Sequence, residues 1–415
     1  MNRGVVIIGA GHGGVSLATA LRGAQYEGPI TLISAEPELP YHRPPLSKAF
    51  MAGEARGFSE DKLKLAADGF YAYNAIDLRL DAPVTAIDTV RKTVTLASGE
   101  QIGYPFLVLA TGARARSLPI PGIERPGVET LRTLADAHRI RAQLEQVQSV
   151  VVIGAGFIGL ELAATARQLG KDVTVLEAAP RILGRSVSPL VSAWITARLR
   201  AEGVRIELEA RITEIAGAPE GGCRVVAVRE AERAWPAELV IVGAGATPNT
   251  ELAAAAGIVC DNGIVVDDHL HTSAPCVFAI GDCAAHPNAF ADGARIRLES
   301  IQNANDQARI VMRNLTGNAT PYHSVPWFWS DLGAIKLQMA GLSIGATEHV
   351  LRGDPASGKF SVFHYRGDTL IAVDSINHPA DHIQARRLVG GGISPAKAEV
   401  ADTTIELKHH ICQAA

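Results

Sequence analysis

The sequence has little of what thiol, disulfide or metal chemistry requires. Its 415 residues hold five cysteines, Cys223, Cys260, Cys276, Cys283 and Cys412, and no two are spaced C-x-x-C. An odd number at wide spacings suggests neither a disulfide framework nor a zinc site. No pair of histidines has metal-ligand spacing: His409-His410 reads as a surface pair near the C-terminal end, and His42 as part of a loop it helps to shape. No apolar run is long enough to span a bilayer. Met1-Asn2-Arg3-Gly4 leads directly into Val5-Val6-Ile7-Ile8, without the pattern of a signal peptide. A cytoplasmic location is the expectation. The formal net charge of −4 gives no global pointer to nucleic acid or an anionic membrane.

Glycine is plentiful, with 40 residues, and the question is whether it stands where only glycine serves. A chain this long implies two or three domains. At 47% hydrophobic and 20% charged it reads as globular. One long-range echo stands out. Val5-Val6-Ile7-Ile8-Gly9-Ala10-Gly11-His12-Gly13-Gly14 resembles Val150-Val151-Val152-Ile153-Gly154-Ala155-Gly156-Phe157-Ile158-Gly159. Each is a continuous apolar run followed by G-x-G-x-x-G. Such a run fits a strand buried on both faces of a parallel sheet. Helices are expected over 14–22 and 158–169, the second ending at Gly170. Second strands follow at Ile30-Thr31-Leu32-Ile33 and Val173-Thr174-Val175-Leu176, completing two β-α-β units.

A lone glycine motif is weak, but each copy here has its strand, its helix and an acidic residue downstream. The glycines allow a tight turn and close approach of backbone to a pyrophosphate, which the helix N-terminus then faces with free N–H groups. Glu177 follows the second strand of the second unit, eighteen residues after Gly159. A carboxylate there accepts from a ribose 2′-hydroxyl and repels a 2′-phosphate. Arg181 and Arg185 nearby work against that preference. In the first unit Ser34-Ala35 take the acidic position and Glu36 is displaced by one residue.

Phe106-Leu107-Val108-Leu109-Ala110-Thr111-Gly112 and Leu239-Val240-Ile241-Val242-Gly243-Ala244-Gly245 are two further strand-to-glycine turns, read as crossings between domains. The fold class expected is α/β: two Rossmann-like dinucleotide-binding domains, with 115–243 inserted into a first domain of 1–114 and 244–319. Beyond lies a C-terminal α+β domain of 320–415. In it Phe360–Tyr365 and Thr369–Asp374 flank a turn at Arg366-Gly367-Asp368, and a helix is expected over 380–389.

Thr272–Asp282 reads as a strand ending in Gly281-Asp282. With the Ala110-Thr111-Gly112 turn and the paired glycine motifs, it resembles the glutathione-reductase-like FAD flavoprotein superfamily. Pro40-Tyr41-His42-Arg43-Pro44-Pro45-Leu46-Ser47-Lys48, Arg297–Ala304 and Trp327–Asp331 narrow the resemblance to the oxygenase-coupled ferredoxin reductases of the putidaredoxin reductase type. The likeness covers essentially the whole chain in order.

The resemblance implies bound FAD, with NADH as reductant and a 2Fe–2S ferredoxin as transient partner. It places Asp282 on the ribityl chain, Lys48 at the flavin N5/O4 edge, Glu161 on the nicotinamide carboxamide, and Phe157 or Ile158 beside the ring stack. Trp329, with Trp327, would stand beside the flavin and face the partner. Lys48, Glu161 and Trp329 are the catalytic candidates. The cofactor-binding set is Gly9, Gly11, His12, Gly13, Gly14, Glu36, Arg43, Lys48, Val84, Ala110, Thr111, Gly112, Arg132, Gly281, Asp282, Glu299, Ser300, Ile301 and Trp329, with Gly154, Gly156, Phe157, Ile158, Gly159, Glu161, Glu177, Arg185, Gly243, Ala244 and Gly245. No metal ligand is expected. Read from the residues alone, Lys48 is also a solvated loop lysine, Glu161 a helix-dipole carboxylate and each tryptophan a core aromatic.

The scarcity of cysteine then acquires a meaning. Disulfide reductases of that superfamily carry paired cysteines beside the flavin, and its peroxidase–oxidase branch a single one near position 42; here no cysteine precedes Cys223. Electrons are expected to leave the flavin singly, for a carrier serving a haem-thiolate monooxygenase or a ring-hydroxylating Rieske dioxygenase. A rubredoxin reductase, an apoptosis-inducing-factor-like oxidoreductase and a flavin-bound NADH sensor are the alternatives. Arg309, Arg313, Lys336, Arg386 and Arg387 are candidates for a basic patch toward an acidic carrier, or simply solvated charges. A monomer or weak dimer is expected. Glu177 gives the first measurable consequence: kcat/KM for NADH exceeds that for NADPH, and equal values would contradict the role given to it.

Overall fold

The computed structural model describes residues 4–53, 57–217, 225–230 and 232–413. Cys223 lies outside the described residues. The chain groups into two compact units, one of Met1–His42, Asp61–Arg114 and Thr247–Phe328, the other of Arg43–Glu60, Ala115–Ala246 and Trp329–Ala415. Residues 43–60 and most of the C-terminal part therefore group with the second glycine motif.

In the first unit, five parallel strands form one sheet in the order 277–279, 106–109, 5–8, 30–33, 76–79. Val5–Ile8 is central and buried throughout, as its continuous apolar run requires. The second unit repeats the plan, in the order 205–207, 172–176, 149–153, 239–242, 128–130, again all parallel. In both sheets the strand before the glycine motif sits where the order reverses, with the second strand of its β-α-β unit on one side and a strand-to-glycine turn on the other. A ligand crevice opens at the carboxyl ends of strands at such a reversal.

The helices start closer to the glycines than the sequence suggests. They run His12–Gly23 and Phe157–Gln168, with Gly11 and Gly156 at the N-caps. Neither glycine has a side chain to cap the first-turn N–H groups, which are left for a ligand. The expected strand through 272–279 shrinks to Val277–Ala279. Pro275 has no N–H for a sheet ladder, and Cys276 takes φ +63°, so the chain turns before the strand begins.

The C-terminal sheet has five strands in the order 327–332, 335–341, 369–376, 359–366, 348–354. Lys359–Arg366 and Thr369–Ile376 form the expected hairpin, each longer than its apolar core. The helix Pro379–Gly390 packs against strands of this sheet. No described helix is long and apolar enough to cross a membrane.

Candidate functional site

The two glycine motifs divide their labour in the same way. A Cβ on Gly14 would stand 1.9 Å from the Gly9 carbonyl oxygen, and one on Gly9 2.1 Å from that of Ala110. In the second copy a Cβ on Gly159 would stand 2.2 Å from the Gly154 oxygen, and one on Gly154 2.6 Å from that of Gly243. Real Cβ atoms never approach so closely, so the outer glycines are demanded by the fold. The middle glycines are different. A Cβ on Gly11 would meet nothing within 4 Å, and one on Gly156 only the Gly243 oxygen at 3.9 Å. Space kept open before bare helix N–H groups, in both copies, fits the phosphates of two dinucleotides. Gly13 lies against the side chains of Ile280 and Ala304, and Gly243 itself packs on the Gly159 backbone.

Around the first cradle, Gly9 N donates to Ile33 O at 2.8 Å and Ala110 N to Ile8 O at 2.8 Å. The Thr111–Gly112 turn is fixed by Asn249, which the sequence did not single out. Thr111 Oγ1 donates to Asn249 O at 2.7 Å, Asn249 Nδ2 to Thr111 O at 2.8 Å, and Asn249 N to Gly112 O at 2.9 Å. Glu36 is drawn back toward its own loop, accepting from the Tyr41 hydroxyl. His12 Nε2 lies 3.2 Å from His42 Nδ1, and burial holds the His42 imidazole below its usual pKa. Val84 opens a separate antiparallel ladder with 93–96.

Gly281 and Asp282 sit on a short turn held by buried groups. Gly281 N donates to Gln307 Oε1 at 2.7 Å, and the Asp282 carbonyl accepts from Arg297 Nη1 at 2.9 Å. Glu299 pairs with the same guanidinium at 2.5 Å. Ser300 caps the helix Ile301–Leu315, accepting from Asn303 N at 3.1 Å, so its hydroxyl already has a structural duty. Cys283 follows Asp282 and is fully buried, and burial pushes its thiol up. A thiol so placed is poorly suited to act as a thiolate.

In the second unit Lys48, Ser47 and Ser330 converge on one carboxylate, that of Glu161. Glu161, only 3% exposed, accepts from Ser47 Oγ at 2.5 Å and Lys48 Nζ at 2.7 Å on Oε2, and from Ser330 Oγ at 2.6 Å on Oε1. Its position one turn into the helix Phe157–Gln168 puts Thr165 on the same face, and Thr165 Oγ1 donates to Ser47 O at 3.0 Å. The helix thereby grips the Pro44–Lys48 segment twice. Arg43 donates to Arg132 O at 2.6 Å. Trp329 is half-buried and precedes Ser330 on the strand Trp327–Leu332, so alternation turns the indole to the opposite face from Glu161. Ser47, Ser330 and Thr165 were not foreseen; Ser47 and Ser330 each stand next to a candidate, Lys48 and Trp329, while Thr165 lies four residues beyond Glu161.

Phe157 opens the helix and Ile158 stays 44% exposed. Glu177 accepts from Ala155 N at 2.6 Å and Ala179 N at 2.8 Å. Arg181 is turned into its own loop, while Arg185 is exposed. Gly245 takes φ +98° and accepts from Arg116 N.

Two parallel sheets, each with an open glycine cradle at its reversal, define a two-dinucleotide oxidoreductase. Residues 3–308 match the pyridine nucleotide-disulphide oxidoreductase family, and residues 327–411 the reductase C-terminal domain. The chain belongs to that family, whose members bind FAD and NAD(P)H. It is 43% identical to rhodocoxin reductase of Rhodococcus erythropolis, over 97% of this chain and 93% of that one. It is 39% identical to putidaredoxin reductase of Pseudomonas putida, over 100% and 98% of the two chains. Among solved structures, the ferredoxin reductase of the CYP199A2 system from Rhodopseudomonas palustris superposes with a TM-score of 0.95 at 44% identity, covering 100% of both chains.

The glycine geometry separates folding from binding. Gly11→Ala should fold yet retain less FAD, and Gly156→Ala should keep its flavin while the KM for NADH rises about tenfold or more. Flavin content and NADH titration of the two purified variants check this; a Gly156→Ala protein with unaltered KM would show that the space serves no phosphate.

Proposed function

We propose that this chain is an FAD-containing, NADH-dependent reductase of a 2Fe–2S ferredoxin that feeds a haem-thiolate monooxygenase or a Rieske dioxygenase. One observation carries the reading: two open glycine cradles stand in a chain whose cysteine beside the first, Cys283, is fully buried, where burial disfavours the thiolate. In this reading the division by function is 1–114 and 244–319 for FAD, 115–243 for NADH and 320–415 as the C-terminal α+β domain, with residues 43–60 packed within the second unit. The reading places the reaction in the cytoplasm, where NADH is available, and takes the protein as a monomer or weak dimer.

Bound FAD would accept a hydride from NADH and release its two electrons singly. The chain's own part is positioning and electrostatics. The first cradle and Asp282 would hold the FAD diphosphate and ribityl chain. The second cradle and Glu177 would hold NADH, which exchanges. Lys48, kept in place by Glu161, would supply positive charge at the flavin edge and favour the electron-rich reduced ring. Glu161 would at the same time present its carboxylate to the carboxamide. Trp329, on the other face of its strand, would stand toward the partner.

The carrier is open to one specific alternative. The chain is 43% identical, over 90% of its length, to rubredoxin–NAD(+) reductase of Pseudomonas putida. An apoptosis-inducing-factor-like oxidoreductase and a flavin-bound NADH sensor are the remaining readings. NADH-driven reduction of cytochrome c with an added 2Fe–2S ferredoxin, compared with rubredoxin and with no carrier, separates them. Fast turnover only with the ferredoxin is expected; rapid turnover only with rubredoxin supports the alternative, and slow turnover with every carrier supports the sensor.

Replacing Lys48 tests the proposed charge at the flavin. Lys48→Met should slow stopped-flow flavin reduction by roughly 10²-fold, within the range for loss of one preorganised electrostatic group, with FAD retained. Because the change also strands a buried carboxylate, Lys48→Met with Glu161→Gln should recover thermal stability without recovering the rate. A single variant that reduces flavin as fast as the parent would dismiss the role.

Partner docking has an electrostatic signature. Lys336 and Arg387 are exposed cations of the second unit, and Arg309 of the first is shared with Asp306 at 2.8 Å. Ferredoxin reduction should slow several-fold between about 10 mM and 150 mM salt, as screening shortens the range of steering. Ferricyanide reduction in the same buffers is the control and should barely change.

A further inference from the structure

The loop after the second acidic strand, residues 178–188, is held as firmly as the cradle beside it. Glu177 ties both together, since its carboxylate accepts from Ala155 N inside the cradle and from Ala179 N in the loop. Leu183 N donates to Ala155 O at 3.0 Å, from a backbone φ of +50° that leucine rarely adopts. Ile182 and Leu183 are buried, and Ser192 Oγ donates to Ile182 O at 2.7 Å. The Arg181 guanidinium donates to the carbonyls of Val187 and Gly184, so its charge is turned into the loop. Arg185 is left as the loop's exposed cation.

The far end of the loop is fastened by the C-terminal sheet. Ser188 N donates to Asp374 Oδ2 at 3.1 Å. Asp374 is 2% exposed on the strand Thr369–Ile376. His364, fully buried on the neighbouring strand, puts Nε2 2.9 Å from the same oxygen. That Nε2 makes no hydrogen bond among the described residues, so the contact is one of packing beside the carboxylate. The helix that starts at Pro189 rests on the same sheet: Trp194 Nε1 donates to Pro355 O at 2.8 Å and its ring meets Phe360 edge-on.

We infer that Asp374 is a positioning residue for the adenosine half of the nicotinamide nucleotide. It lies on a sheet with no dinucleotide motif of its own. Holding Ser188, it fixes the course of 178–188, and with it the places of Glu177, Ala155 and Arg185. A specificity carboxylate discriminates only when its support is rigid. With the loop pinned, Glu177 meets the ribose at a fixed place; with the anchor cut, it and the loop beside it can shift. The inference rests on the second glycine motif being the NADH site.

The experiment uses the FAD-loaded full chain and three proteins: the parent, Asp374→Ala and Asp374→Asn. ADP-ribose, which carries the adenosine half without the nicotinamide, is titrated by calorimetry, and NADH and NADPH oxidation is followed with ferricyanide. In Asp374→Ala, ADP-ribose affinity should fall and the KM for NADH rise, each about tenfold, with kcat at saturation within about twofold. The ratio of kcat/KM for NADH over NADPH should drop. Asp374→Asn, whose amide oxygen can still accept from Ser188, should retain most of the affinity. Should Asp374→Ala lose its fold, Asp374→Leu with His364→Leu replaces the buried pair by apolar packing, and the same constants decide. Unchanged ADP-ribose affinity and selectivity in a folded variant overturns the inference, as does a fall in kcat at constant KM. A parent protein that neither binds ADP-ribose nor oxidises NADH would overturn the reading of the NADH site instead.

Discussion

A carboxylate can be buried only if its charge is answered, and Glu161 is answered by three donors. Lys48 and Ser47 come from the segment after the first unit's His42, and Ser330 from the C-terminal sheet, while Glu161 itself rides on the helix of the second glycine motif. Three distant stretches of sequence are thus held at one point. Loss of any donor would leave part of that charge in a medium that penalises it heavily. The same arrangement fixes the lysine ammonium, since Lys48 otherwise has a flexible stem and 20% side-chain exposure. Thr165, one helical turn on, adds a bond to the Ser47 carbonyl and so restrains the backbone as well as the side chains.

The glycine motifs show how a repeated pattern serves two ends. Steric demand from within the fold accounts for the outer glycines, because a methyl group there would enter a backbone carbonyl. It does not account for Gly11 or Gly156, around which there is room. Room in front of bare helix N–H groups is what an approaching phosphate needs. The distinction turns a motif match into a physical argument for a ligand, and it holds independently in both copies. Asn249 shows what supports such a cradle: one residue, through its side-chain amide and its own backbone, ties both Thr111 and Gly112.

Much of this was legible in the sequence, and for definable reasons. Continuous β-branched runs, paired glycine motifs and a displaced or well-placed acid are local signals, and the strands at 5–8, 30–33, 106–109 and 239–242 fall where those signals put them. The strand before Gly281 was overextended because apolar content hid a proline and a residue of positive φ. The polar partners were not legible at all. Ser47, Ser330 and Asn249 matter through contacts with residues more than a hundred positions away, and a place next to Lys48 or Trp329 does not reveal which distant group the hydroxyl will meet. Candidate residues announce themselves by type and motif; the groups that hold them do so only once the chain is folded.

The C-terminal part gains a structural role from the same reasoning. A sheet that carries no glycine motif could serve merely as a partner surface. Yet two of its strands send polar groups to opposite ends of the second β-α-β unit: Ser330 to Glu161 on the helix after the cradle, and Asp374 to Ser188 at the end of the loop after the acidic strand. Both supplied groups are buried and both meet a single defined atom. A surface whose only duty was docking would have no need of either. The sheet is therefore built as a brace for the second glycine motif from two sides, and any displacement of it would be felt at both the helix carboxylate and the loop beside Glu177.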